Sequence, residues 1–234
     1  MTAEKNEQGQ FLRRIKSYVL REGRLTSSQA RAMKDLYPKY GLEYQQQLLD
    51  FNNVFGRTAP CFLDIGFGTG TSMVHMAGLL PENNLLGAEV HGPGVGSLLL
   101  QVEKNNFSNV RVIYYDVMDV LNNMIPDQSL SGVYLFFPDP WHKRKHHKRR
   151  LVQENFIRLL HKKLIPGGFF HMATDWQHYA QHMMKEMMAA DGFENKAGDN
   201  NYSERPEYRP ITKFEQRGQR LGHGVWDLIF KKII

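Results

Sequence analysis

Cysteine is almost absent: Cys61 stands alone in 234 residues. One thiol makes no intrachain disulfide and no Cys cluster for zinc, which fits a reducing, cytoplasmic setting. Long apolar runs are missing as well. No stretch approaches the roughly 18 apolar residues a membrane helix needs. The polar start, Met1 to Gln10, has no apolar core of signal length. Internal repeats are absent, and the one biased tract is basic. Acid is the minority charge: 30 Lys and Arg face 24 Asp and Glu, a net charge of +6. That balance favours an anionic partner. No membrane partner is expected, and a monomer is favoured over a dimer.

What is present suits one globular domain, with 41% hydrophobic residues for its core. Residues 1–25 read as a flexible basic arm. Arg13, Arg14, Lys16, Arg21 and Arg24 stand there against Glu22 alone between Phe11 and Leu25. Two readings stay open for the arm, a solvated tail or a phosphate contact. Residues 26–234 read as one domain with a helical extension over 26–59. Thr26-Ser27-Ser28 caps a helix that runs to about Tyr37 and stops at Pro38. Residues 39–59 give no clear pattern.

From residue 60 on, strand and helix patterns alternate at short spacing. Strands are expected near 60–65, 84–90, 110–115, 131–137, 167–174 and 225–230. Helices are expected near 70–79, 94–106, 117–124, 150–164 and 176–190. This predicts an α/β fold with a mainly parallel sheet covered by helices on both faces. Met183, Met184, Met187 and Met188 share one helix face and read as core. The polar stretch Asn195 to Pro210 reads as a loop.

The first strand runs into Asp64-Ile65-Gly66-Phe67-Gly68-Thr69-Gly70, a glycine turn before a helix. A dinucleotide fingerprint wants its third glycine where Thr71 stands, so that pattern fails. Gly66-x-Gly68-x-Gly70 resembles motif I of the S-adenosylmethionine-dependent methyltransferases, in which the preceding acid sits near the methionine part of the cofactor.

Ligands of open parallel sheets bind beyond the carboxyl ends of the strands. Five expected strand ends each carry an acid: Asp64, Glu89, Asp116, Asp139 and Asp175. Glu89 lies about twenty residues past the glycines, a distance suited to accepting from ribose hydroxyls. Two prolines bracket Asp139 in Phe137-Pro138-Asp139-Pro140-Trp141, which stiffens the backbone around one carboxylate. Six Lys or Arg then fall within the eight positions 143–150, a run that suits phosphate binding. His142, His146 and His147 lie among these cations without a carboxylate, so no metal is expected there.

These motifs, with Glu89-Val90-His91, Ala173-Thr174-Asp175-Trp176 and Thr212-Lys213-Phe214-Glu215-Gln216-Arg217-Gly218, resemble the bacterial tRNA (guanine-N7)-methyltransferases, the TrmB family. The resemblance covers about residue 15 to the end. It implies a class I S-adenosylmethionine-dependent methyltransferase fold, Rossmann-like, with a mostly parallel seven-stranded sheet. It implies S-adenosyl-L-methionine as cofactor and tRNA as partner, with guanosine 46 of the variable loop as the target. Asp64, Gly66, Gly68, Gly70, Glu89, Asp116 and Asp139 would bind the cofactor, and Asp139 would also be catalytic. Lys143, Asp175, Thr212, Lys213, Phe214 and Glu215 would contact the substrate nucleotide. Lys145, His146, His147, Lys148, Arg149 and Arg150 would contact RNA. Family members often carry Glu where Asp64 stands.

The implied chemistry needs little acid–base machinery. Guanine N7 carries an in-plane lone pair and no proton, so positioning dominates. A carboxylate near the base would stabilise the charge that develops on the purine. Asp139 and Asp175 are assigned to this work without division between them. Trp141 has two open readings, stacking on an extruded base or packing beneath the loop. Methylation at pyrimidine C5 is a poor fit, since no cysteine lies near Asp139. Methylation of a base amino group and a non-catalytic RNA-binding module remain as alternatives.

Overall fold

The structure is a computed structural model that describes residues 17–18, 23–211, 215 and 224–233. In chain order it holds α1 (Ser27–Asp35), α2 (Tyr37–Tyr40), α3 (Phe51–Phe55), β1 (Cys61–Ile65), α4 (Thr71–Leu79), β2 (Asn84–Glu89), α5 (Gly92–Lys104), β3 (Val110–Tyr114), α6 (Val117–Asn123) and β4 (Leu130–Phe136). A 3-10 turn (Arg144–Arg149), α7 (Glu154–Lys163), β5 (Leu164–Thr174), α8 (Gln177–Met188), β6 (Phe193–Asn195) and β7 (Trp226–Lys232) follow.

Among the described residues seven strands form one sheet in the order β3-β2-β1-β4-β5-β7-β6. Pairing is parallel from β3 through β5, and β7 runs antiparallel between β5 and β6. Every residue of β2 is buried, as a central strand covered on both faces should be. On β1 the side chains alternate. Cys61, Leu63 and Ile65 join the layer of α6, α7 and α8, with Val120, Phe156 and Met183. Phe62 packs with the opposite layer, which holds Met73 of α4 and Leu98 of α5. No helix among the described residues is long and apolar enough to cross a membrane.

The structure corrects several expectations in detail. Pro38 does not stop the first helix. It occupies the first turn of α2, where a missing N–H costs nothing. Thr26 does cap α1, in a reciprocal pair with Gln29. Residues 39–59 contain α3, which Asp50 caps through the Asn52 and Asn53 amides. The helix expected from 150 begins at Glu154: Arg150 has an extended backbone, with ψ of 135°, and its side chain turns inward, 5% exposed. β6 and a bridge from Ser203 to Asp227 lie at and within the stretch read as loop. Met188 is 37% exposed, so three of the four methionines enter the core.

Candidate active site

Strand order reverses between β1 and β4, and a cleft of about 340 Å³ opens beyond their carboxyl ends. That volume is in the range of small-molecule sites. Gly66 after β1, Glu89 and His91 at the end of β2, Tyr115 after β3 and Asp139 after β4 all line it. Ser17 and Tyr18 of the N-terminal segment border it as well.

The glycine turn is built by backbone angles that other residues resist. Gly66, Gly68 and Gly70 have φ of 68°, 57° and 82°. A Cβ on Gly66 or Gly68 would meet nothing within 4 Å, so that side of the loop is open to a ligand. A Cβ on Gly70 would lie 2.7 Å from Leu98, so the third glycine serves packing of the loop on α5.

Glu89 fastens this loop. Its Oε2 accepts from the Gly68 N–H at 2.8 Å, and its Oε1 accepts from Val90 and His91 at 2.7 and 2.9 Å. Oε2 keeps a second lone pair for a ligand hydroxyl. Asp64 lies inside β1 and behind the cleft wall, 2% exposed, with Oδ2 bonded to nothing. Burial, helped by the charge of Glu89, pushes its carboxyl up to about 7. Asp116 caps α6 through the Met118 amide at 3.0 Å. It is not brought to the main cleft. It borders an adjoining recess with Lys148, Arg149 and Arg150. Tyr115 takes the cleft wall instead, stacked on Tyr44 with ring centroids 3.9 Å apart. An acid marks this strand end in the sequence one residue past Tyr115, whereas a flat apolar wall carries no comparable mark.

On the β4 side Asp139 is exposed at the cleft. The backbone around it is strained in a way the prolines alone do not reveal. Phe137 and Trp141 have φ of 54° and 49°, angles that cost bulky residues roughly 1–3 kcal/mol each. Phe137 is held by its N–H, which donates to the Ala173 carbonyl at 2.8 Å. Trp141 is half-buried: its Nε1 donates to the Ser17 carbonyl at 3.1 Å, and Arg149 lies 4.9 Å over its ring. This is the packing reading of Trp141. Asp175 follows β5 and is half-buried, off the main cleft wall.

A buried ionic cluster lies beside Phe137. Arg209, 1% exposed, donates Nε and Nη2 to Asp227 at 2.6 Å each. It also donates Nη1 and Nη2 to Glu215 at 2.7 and 3.2 Å. Its guanidinium lies 5.6 Å from the Phe137 ring centroid. His171 bonds Asp227 through Nε2 at 2.8 Å, while Tyr208 Oη lies 3.0 Å from Nδ1. The carboxylate only accepts, so Nε2 carries the proton and Nδ1 accepts from the tyrosine. Burial holds His171 below the usual imidazole range, against the pull of Asp227. Burial alone would raise the Asp227 carboxyl, but the bonds from His171 and Arg209 outweigh it and hold it low. Burial likewise opposes the Arg209 charge, and its bonds to Glu215 and Asp227 win.

Glu215 therefore departs from its expected place. It is 2% exposed with both oxygens on Arg209, not presented at the cleft. Thr212, Lys213 and Phe214 lie outside the described residues. Arg150 departs too: its Nε donates to the Pro140 carbonyl at 3.0 Å and its guanidinium lies 4.9 Å over Tyr179. It ties down the Asp139 loop and has no surface for RNA. The rest of the basic turn is accessible: Lys143, Lys145 and Lys148 are exposed, and His146, His147 and Arg149 are half-buried. Desolvation and the surrounding cations keep His146 below the usual imidazole range. Among the described residues no three His, Cys, Asp or Glu side chains converge as a metal site needs.

A family model described as "Putative methyltransferase" matches residues 58–228. A curated tRNA (guanine-N(7)-)-methyltransferase of Shewanella amazonensis is 55% identical over 232 residues, which cover 99% of this chain and 98% of that protein. One of Hydrogenovibrio crunogenus is 58% identical over 221 residues, covering 94% and 92%. Among solved structures, the 16S rRNA methyltransferase KamB superposes with a TM-score of 0.57 at 15% identity, covering 81% of this chain and 96% of that one. That likeness shows a shared fold.

Proposed function

The chain belongs to the tRNA (guanine-N(7)-)-methyltransferase family and has the class I methyltransferase fold, and from this premise we propose that it methylates N7 of guanosine 46 in the variable loop of tRNA. The near-full-length identity to curated enzymes of that activity carries the reaction. The methyl donor is S-adenosyl-L-methionine, which supplies an electrophilic methyl on a sulfonium.

The residues at the β1–β2 edge fit that group. The open faces of Gly66 and Gly68 and the spare lone pair of Glu89 supply room and an acceptor. Gly66, Gly68 and Glu89 would hold the cofactor directly, with Tyr115 as an apolar wall. Gly70 and Asp64 would support them from behind. Asp116 would act at the margin, through the α6 cap and the adjoining recess.

Guanine N7 has no proton to lose, so no side chain of this protein has to act as a base. Asp139 accepts the donors of the guanine edge and stabilises positive charge that grows on the purine. The strained backbone fixes its carboxylate before substrate arrives, which lowers the cost of orientation. Lys143 and Asp175 meet the rest of the target nucleotide. Lys145, Lys148, Arg149 and the two histidines follow the phosphate backbone. Residues 26–234 work as one domain, in the cytoplasm, as a monomer with no resident metal.

Labelled S-adenosylmethionine and unmodified tRNA transcripts, read by nucleoside mass spectrometry, test this. Label is expected in 7-methylguanosine and is lost when guanosine 46 is replaced. Label in another nucleoside overturns the acceptor. Persistence after replacement overturns the position.

A further inference from the structure

Arg209 joins three separate parts of the chain. Asp227 belongs to β7 and pairs in register with Ala173 of β5. Ala173 in turn accepts the Phe137 N–H. Glu215 comes from the segment that follows Arg209, and Phe137 from the loop that carries Asp139. One guanidinium therefore contacts the sheet, the Glu215 segment and the base of the Asp139 loop. Four donor contacts to two carboxylates use its planar fork in a way a point charge does not reproduce.

The ionic centre of the cluster is buried, with half-buried Tyr208 at its margin. Arg209, Glu215, Asp227 and His171 are 1%, 2%, 3% and 0% exposed. Glu215, 2% exposed with each oxygen on Arg209, is not presented to a guanine in the cleft. Yet it sits two residues before Arg217 and next to the Thr-Lys-Phe run that the family resemblance assigns to substrate. Its effect on the reaction has to pass through what it is bonded to.

We propose that Arg209 is the positioning residue of the substrate half of the site, and that Glu215 acts through Arg209 rather than by touching guanine. This rests on the reading of Asp139 as the catalytic carboxylate. The guanidinium sets the Phe137 ring, Phe137 sets the left-handed turn, and the turn delivers Asp139 to the cleft. Glu215 and Asp227 set the guanidinium from two sides. His171 and Tyr208 hold Asp227 in turn.

A double-mutant cycle on methyl transfer tests it, with Arg209→Lys, Glu215→Gln and the pair. Both replacements keep approximate size, and Lys keeps the charge while losing the fork. Each single variant is expected to lower kcat about 10- to 100-fold at saturating tRNA and cofactor. Affinity for S-adenosylhomocysteine, measured by calorimetry, should stay within about twofold, because the β1–β2 side is untouched. The pair should be no slower than the slower single variant. Losses that multiply in the pair would show Glu215 working independently of Arg209 and overturn the proposal. Wild-type kcat in Arg209→Lys overturns it as well. Should Arg209→Lys fail to fold, Glu215→Gln alone decides: unchanged kcat, or a loss that appears only in KM for tRNA, contradicts positioning. A wild-type protein that makes no 7-methylguanosine would instead remove the functional reading, a distinct outcome.

Discussion

On the β1–β2 side of the cleft one carboxylate, Glu89, gathers backbone amides from two loops. On the β4–β7 side one guanidinium, Arg209, gathers two carboxylates from two segments. The first arrangement uses groups that every residue carries, so it needs glycine at the turn and one acid. The second uses side chains only, and each has to be the right one. A ligand common to many enzymes suits the first, and a particular substrate suits the second. The two sides should then fail differently when they are broken.

The largest expected loss is on the second side. Asp139→Ala should lower the single-turnover rate by about 10²–10³-fold, the magnitude seen when one preorganised electrostatic group is removed. Rapid-quench assays at saturating tRNA measure it, and a loss below threefold would detach the carboxylate from the chemistry. Next comes Glu89→Ala, which frees the Gly68, Val90 and His91 amides. Hydrogen bonds to a charged group are worth about 1.5–3 kcal/mol, so cofactor affinity should weaken roughly 10- to 100-fold by calorimetry. An unchanged affinity would mean that the loop keeps its shape without its staple.

Much of the first side was legible in the sequence because its partners are close along the chain. Gly68 and Glu89 are 21 residues apart and end adjacent parallel strands. Strand patterning and a glycine turn locate both. Asp139 was legible for the same reason, since prolines mark it locally. Arg209 was not. Its contact with Phe137 spans the whole of α7, β5, α8 and β6, and nothing in Arg209-Pro210 marks a buried guanidinium. Arg150 misled because it ends a basic run, and a charge pattern does not say which member turns inward. Glu215 was placed at the substrate by motif, while its burial depends on a partner that the motif does not include.

The basic turn sharpens the same contrast at smaller scale. Lys145→Ala with Lys148→Ala should reduce the slope of log affinity against log salt for tRNA by about 1.5. Arg150→Ala should leave that slope alone and lower the melting temperature, since its contacts are internal. Filter binding over a salt series separates the two, and a flattened slope in Arg150→Ala would restore it to the RNA surface.

The last effect concerns Asp64 and falls on stability, not on rate or binding. Its carboxyl is pushed up to about 7 by burial, above the usual carboxylate value of about 4. A raised folded pKa means the folded state holds the proton longer than the unfolded state does. The associated stability is full below about pH 4 and is lost as pH rises through 7. Without cofactor, melting temperature should therefore fall across that window more in the wild type than in Asp64→Asn. Scanning calorimetry from pH 5 to 8 checks the slope, and parallel curves would contradict the assignment.

The comparison is tested most directly by one titration. Initial rates of 7-methylguanosine formation are measured against S-adenosylmethionine concentration for Glu89→Ala and Asp139→Ala side by side. The account predicts that Glu89→Ala climbs toward wild-type kcat as cofactor rises, while Asp139→Ala reaches a plateau hundreds-fold low. An Asp139→Ala enzyme restored to wild-type kcat by cofactor alone would contradict it.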